Sequence, residues 1–237
     1  MDIPISLAVI AFAALIHASF QLSVSVLTLL GGHSIGAKKS HSRLLQLTTS
    51  FLFGAGVMTI LLISFTSLIL LLIFGSEIPE VIWAAGCGLA TGIAFAIWMF
   101  YYRREKGTTL WIPRNVAEYL IDRTKSTKQT AESFGLGLVS VAGEILFIIA
   151  PLFIGALVLT QLPPMWHLVG IAIYAIISLS PLIIVWSLIG GGHKISRIQK
   201  WREENKYFLQ FAAGAGLLVL GFFVYVNVIF GNFIGGF

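Results

Sequence analysis

Between Arg43 and Glu77 the chain carries no charged residue, and a helix drawn through LLQLTTSFLFGAGVMTILLISFTSLILLLIFGS is apolar on every side. Such a helix has no face to offer water, so it is either the core of a large protein or a membrane span. About 20 consecutive apolar residues cross the hydrocarbon layer as a helix, where every backbone polar group must be satisfied internally. Six runs reach that length, roughly 4–30, 46–74, 81–102, 134–160, 165–190 and 207–231. The expected fold is an all-α membrane protein of six transmembrane helices. MDIPISLAVIAFAALIH lacks a basic leader and a small-residue cleavage site, so it reads as a retained first span rather than a secretory signal.

Composition closes the alternatives. Only 11% of the residues are charged and mean hydropathy is +0.94, against about a quarter charged in a soluble domain. The net charge of +5 does not point to nucleic acid, because of where the basic residues fall. All 15 Lys and Arg lie in three segments: Lys38–Arg43, Arg103–Lys128 and Lys194–Lys206. The alternate loops, SEIPE (76–80) and QLPPMWH (161–167), have none. The positive-inside rule then places both termini outside and the three basic loops in the cytoplasm, and suggests the plasma membrane of a prokaryote. Cys87 stands alone, which excludes disulfides and thiolate metal clusters. No HExxH, GxSxG, paired carboxylates or phosphate-binding loop occurs, so neither an enzyme nor a cofactor is expected.

The division into halves follows from the longest loop. Residues 1–102 form a first three-helix half and 134–237 a second, joined by a cytoplasmic loop, 103–133, in which Val116, Tyr119 and Leu120 are spaced for a short amphipathic helix. Three spans per half gives the halves opposite orientation, as in inverted-repeat transporters with a midplane site. SFQLSVSV (19–26) and SFGLGLVSV (133–141) suggest a register for that repeat. Small-residue clusters at Gly54/Gly56, Gly88/Gly92 and Gly214/Gly216 allow close helix approach.

Polar residues at depth are costly and mark function. Glu144, in GLVSVAGEILFIIAP (137–151), is the one acid well inside a span, and no Lys or Arg lies in any span. A carboxylate at a helix centre costs about 2.5–3.5 kcal/mol on insertion scales. Gly143 beside it and Pro151 beyond it predict a local helix break. His17, with Gln21 one turn on and Ser19 between, is the second candidate, as imidazole binds protons or cations near neutral pH. Ser140, one turn before Glu144, completes a candidate substrate- or proton-binding set of Glu144, His17, Gln21, Ser140 and Ser19, with any metal left unassigned. Thr59, Thr91 and Asn227 read as interhelical hydrogen bonds, and Pro181 predicts a kink in the fifth span.

The stretches SFQLSVSVLTLLGGHSIGAKKS (19–40), SFGLGLVSVAGEILFIIAP (133–151) and HKISRIQKWREENKYFLQFAAGAGLLVLG (193–221) together resemble the LysE-like exporters and the related CcdA/DsbD membrane domains. That resemblance implies a 3+3 inverted scaffold with a helix break at the start of each half. The Pro-Cys pair of CcdA-type proteins is missing from both halves, which rules out thiol reduction, and HASFQ (17–21) stands where LysE-type exporters have a Pro-Gly-Pro-like break. The expected function is secondary transport of a small solute or cation, coupled to protons through Glu144 and His17. The competing expectation is a non-transporting subunit or assembly factor, with partners limited to lipid, a small solute or ion, a second copy or another membrane subunit, and no nucleic acid.

Overall fold

A computed structural model describes residues 1–20, 24–28, 30, 41–75, 77–101, 119–120, 122–124, 126–127, 129–192 and 195–230. Among these, every regular element is helical. Helix α1 spans Ile3–Ser19, α2 His41–Phe74, α3 Glu80–Ala96, α4 Thr130–Gly143, α5 Ile145–Thr160, α6 Pro164–Ser178, α7 Ser180–Gly190 and α8 Ile195–Val224. Residues 24–28 are also helical. Gln21 and Val116 lie outside the described residues, as does most of the 103–133 loop.

The helices sort by length and straightness. Ser42–Phe74, Glu80–Met99 and Tyr207–Phe230 are each long and apolar enough to cross a membrane unaided. Two further candidates are bent pairs, α4 with α5 at 77° and α6 with α7 at 52°, and α1 is a shorter apolar helix. The protein is therefore an all-helical, multi-pass membrane protein with three to five candidate spans. Its surface agrees: Phe53, Phe65, Leu72, Val81, Met165, Leu168 and Phe222 are all exposed, an apolar coat that suits lipid and not water.

The runs end or bend for local reasons, two of them at the interruptions expected near Glu144 and Pro181. The first run stops at Ser19, where Phe20 turns extended (φ −84°, ψ 119°) while its N–H still bonds the His17 carbonyl. The fourth run breaks at Gly143–Glu144; Pro151 sits inside α5 and does not end it. The fifth run bends at Leu179, two residues before Pro181, which is pre-set for the first turn of α7. The last helix starts inside the basic loop, at Ile195, because ISRIQKWREENK is built of good helix formers and carries a Lys200–Glu204 pair at i, i+4.

Close packing is confined to particular seams. A Cβ on Gly54 would overlap the carbonyl of Phe134, and one on Gly137 the carbonyl of Phe51, so α2 and α4 approach backbone to backbone. Ser133 Oγ donates to the Leu47 carbonyl (2.7 Å) and Ser50 Oγ to that of Thr130 (2.7 Å) across the same seam. At the start of α4, the Gln129 N–H donates to the Glu132 carboxylate in a capping box. Gly88 and Gly92 differ: both are exposed, with open space where a side chain would stand.

Two facts bear on internal repetition. AAGCGL (84–89) in α3 returns as AAGAGL (212–217) in α8, 128 residues later, and the two helices pack together. Both end in π turns, Ile97–Tyr101 and Tyr225–Phe230, whose starts are again 128 residues apart. The Ser-Phe match does not share this register. Ser19 and Phe20 sit where α1 ends, whereas Ser133 and Phe134 lie near the start of α4.

The core is double. One apolar cluster takes Val9–Ile16 of α1, Ile63 and Leu70 of α2, and parts of α3, α5, α6 and α8. The other takes Val24–Leu30, Leu44–Ala55 of α2, Leu136 and Val141 of α4, Ile148 and residues of α7. Four passages of the chain thus change cluster part-way along: between residues 16 and 24, 55 and 63, 148 and 150, and 174 and 182. The polar residues gather at that level.

Candidate functional site

His17 lies in the last turn of α1, three residues before the extended Phe20. Its ring is buried, and Nδ1 is 3.0 Å from the hydroxyl of Tyr174 on α6. The two rings are tilted, with centroids 5.6 Å apart. Tyr174 is fully buried and also closes over Gly155 of α5, where a Cβ would come within 3.2 Å of its ring. The imidazole is therefore held by one nitrogen, and the other is aimed elsewhere.

It is aimed at Glu144. His17 Nε2 stands 3.9 Å from Glu144 Oε2, with both side chains at most 5% exposed. That separation is too long for a direct hydrogen bond and short enough for strong Coulomb coupling in a dry interior. Glu144 is the single residue between α4 and α5, ending one helix (its N–H to the Val141 carbonyl) and starting the next (its carbonyl accepting from Phe147 and Ile148). Glu144 thus stands between the negative end of α4 and the positive end of α5, and His17 at the negative end of α1. Three residues beyond each, Phe20 and Phe147 stack with centroids 5.6 Å apart. The two breaks are thus tied twice, once by the polar pair and once by the rings.

A cavity of about 10 Å³ adjoins the pair, with Thr59, Ser178, Leu179 and Pro181 among its other walls. It has room for about one water-sized occupant. Thr59 Oγ1 donates to the Ala55 carbonyl (3.0 Å) and Ser178 Oγ to that of Ala175 (3.1 Å). Each proton is thus engaged on its own helix, which leaves these hydroxyls only acceptor capacity. A larger open recess of about 630 Å³ is lined by Gln46, Thr49 and Thr130 among others, with no ionisable side chain among the described residues of its walls. Among the described residues no group of three or more His, Cys, Asp or Glu gathers as a metal cluster.

Of the residues singled out from sequence, His17 and Glu144 come together. Ser140 is buried, but its hydroxyl donates to the Gly137 carbonyl (2.8 Å) and it does not line the cavity. Ser19 likewise donates to the Ile16 carbonyl (2.6 Å) and stays outside it. Gln21 lies outside the described residues. Thr91 and Asn227 bond carbonyls of their own helices, Cys87 and Phe223.

Comparison with known proteins ends quickly. No family model, curated protein or solved structure matches this chain. The site has to be interpreted from its own chemistry.

Tyr174, Thr59 and Ser178 are the participants that sequence reasoning missed or set aside. A signal for Tyr174 exists: tyrosines in membrane helices favour the interfacial belts, yet this one falls mid-run in GIAIYAIISLSP (170–181). Ser178 is one turn further on the same helix, directly before the bend.

Proposed function

We propose that this protein is a small secondary transporter of a small solute or cation, in which His17 and Glu144 form the proton-coupling site. The observation that carries it is their meeting, within 3.9 Å and buried, at two helix breaks on the level where the two apolar clusters part. A structural role needs only one satisfied hydrogen bond per group. An imidazole and a carboxylate facing each other across a cavity, each on a broken helix, is what a site that exchanges protons for a ligand requires. The clusters on either side act as the two closed gates, so this conformation is occluded. Rocking of the halves would open one cluster at a time.

The proposal includes six spans in two inverted three-helix halves, both termini outside and the basic loops in the cytoplasm of a prokaryotic cell. The repeated AAGCGL/AAGAGL, the matching π turns and the paired breaks support the repeat. The proposed scaffold is like that of the LysE-like and CcdA/DsbD proteins, operating without redox chemistry. No enzymatic activity is assigned.

One observation favours a second reading, a subunit of a larger assembly or of a homo-oligomer: the exposed Gly88/Gly92 face of α3 is shaped for another helix. Reconstitution into liposomes with an entrapped pH dye separates the two. A transporter moves protons in exchange for a cation or solute added from a panel, and Glu144→Gln abolishes the signal. A chain that purifies with a stoichiometric partner and shows no flux is the subunit.

A further inference from the structure

We propose that the open recess between the first turns of α2 and the start of α4 binds one anionic phospholipid, of the phosphatidylglycerol class. Such a site requires only that the chain lies in a membrane, and it holds whether or not the protein transports.

The level of the recess in the membrane follows from the length of α2. Ser42–Phe74 is 33 residues long, about 50 Å at about 1.5 Å per residue, and the hydrocarbon layer is about 30 Å thick. Tilt absorbs part of the surplus. The rest falls at the Ser42 end, because Ser42, Arg43, Gln46, Thr48, Thr49 and Ser50 crowd residues 42–50, whereas 51–74 carries no charged or amide side chain. Trp186 of α7 marks the same level. Its Nε1 donates to Thr49 Oγ1 (2.9 Å), and tryptophan with a satisfied polar tip is favoured at the membrane–water interface. The recess therefore opens among lipid headgroups.

Its walls change character along α2. Ser42, Gln46 and Ser50 line it together with Thr130 of α4, and Phe53 closes the series. Phe53, Val57 and Ile60 follow one another at helical spacing and are all exposed. A polar headgroup beside Ser42 and Gln46 thus leads directly into an acyl chain on an apolar stripe. The volume, about 630 Å³, lies within the range of about 300–1,000 Å³ typical of small-molecule sites.

Charge selects the headgroup. Arg43, beside Ser42, donates from Nη1 to Gln46 Oε1 (3.3 Å), which places the guanidinium at the rim and leaves the amide of Gln46 its two N–H donors. The described wall residues include no Asp or Glu. Glu132, past Thr130, has its carboxylate at the Gln129 N–H (3.2 Å). A guanidinium matches the geometry of a phosphate. A choline headgroup brings a cation of its own to Arg43, whereas a glycerol headgroup brings none and adds hydroxyls for the polar wall.

The test is native mass spectrometry of the purified full-length protein in detergent, titrated with dioleoyl phosphatidylglycerol or dioleoyl phosphatidylcholine. The expected result is one phosphatidylglycerol per chain, held in preference to phosphatidylcholine. Arg43→Gln should weaken it about 5-fold, the effect of one basic residue at a membrane surface. Ser42→Trp, an exposed position whose new ring fills the recess, should abolish it. Arg197→Gln removes an exposed cation from α8 and should leave binding unchanged. Equal retention of the two lipids, no saturable binding, or unchanged binding in both Arg43→Gln and Ser42→Trp overturns the site. An equal loss in Arg197→Gln also overturns it, since the lipid then answers to diffuse basic charge. Competition by glycerol 1-phosphate as effective as that by the lipid overturns it as well, because the ligand is then a soluble phosphate.

Discussion

The two helix breaks that meet at the site are built differently. In the first, α1 runs to Ser19 and the chain goes extended at Phe20, leaving His17 inside the final turn. In the second, one residue, Glu144, is both the end of α4 and the start of α5, and the axis turns by 77°. One break presents a base in the last turn of a helix, the other an acid at the joint of two helices. Symmetric placement with complementary chemistry makes one two-sided site out of two scaffolds, whereas two copies of either group would repel or lack a partner. In the proposed transport cycle, a moving half would carry one member of the pair away from the other and so link proton affinity to conformation.

The largest expected effect strikes the acid. Glu144→Gln keeps shape and removes the charge, and proton-coupled flux in liposomes should fall to background, with the protein still monodisperse by size-exclusion chromatography. His17→Ala should cost nearly as much. If either variant retains most of its flux, the two breaks are not partners.

Next is the seam that positions the second break. Gly137→Ala drives a methyl into the Phe51 carbonyl, an overpacking of about 1–3 kcal/mol, visible as a lower melting temperature. Gly88→Ala and Gly92→Ala meet open space and should leave the melt unchanged or slightly higher. Equal losses at all three positions would mean that the exposed face is also packed, in an oligomer.

Tyr174→Phe comes third. Loss of the hydroxyl that stands 3.0 Å from His17 Nδ1 should lower flux less than the Glu144 and His17 variants do, while the melt moves little. Smallest are Ser140→Ala and Ser19→Ala. Each removes a hydrogen bond to the residue's own helix, about 0.6 kcal/mol on average in membranes, and flux should stay within about 2-fold of wild type.

Much of this was legible in the residues because polar groups in lipid are expensive. Glu144 and His17 stand out against their apolar runs for that reason, and the charge-free stretch before Glu77 fixes α2. Pro181 announced the bend at Leu179, since proline resists continuing the helix before it. The end of α1 was marked only through the resemblance, which puts a break at HASFQ: HASF contains no Pro or Gly, so nothing local signals it, and tertiary packing decides it. The break expected beside Glu144 from Gly143 and Pro151 falls at Gly143–Glu144, while Pro151 itself is accommodated inside α5. Ser140 and Ser19 looked like ligands because sequence shows a hydroxyl and not its direction; in a helix the nearest acceptor is the carbonyl one turn back, and both take it. Tyr174 was hidden because an aromatic in an apolar helix reads as packing. The Ser-Phe match was a short coincidence in low-complexity sequence, whereas AAGCGL and AAGAGL carry a register that the π turns repeat.

The central claim is that His17 and Glu144 work as one unit. A double-mutant cycle on proton flux, with wild type, His17→Gln, Glu144→Asp and the pair reconstituted at equal density, tests it directly. The account predicts strong non-additivity, the double variant being no slower than the worse single variant. Losses that simply multiply, or single variants that both transport at the wild-type rate, would contradict it.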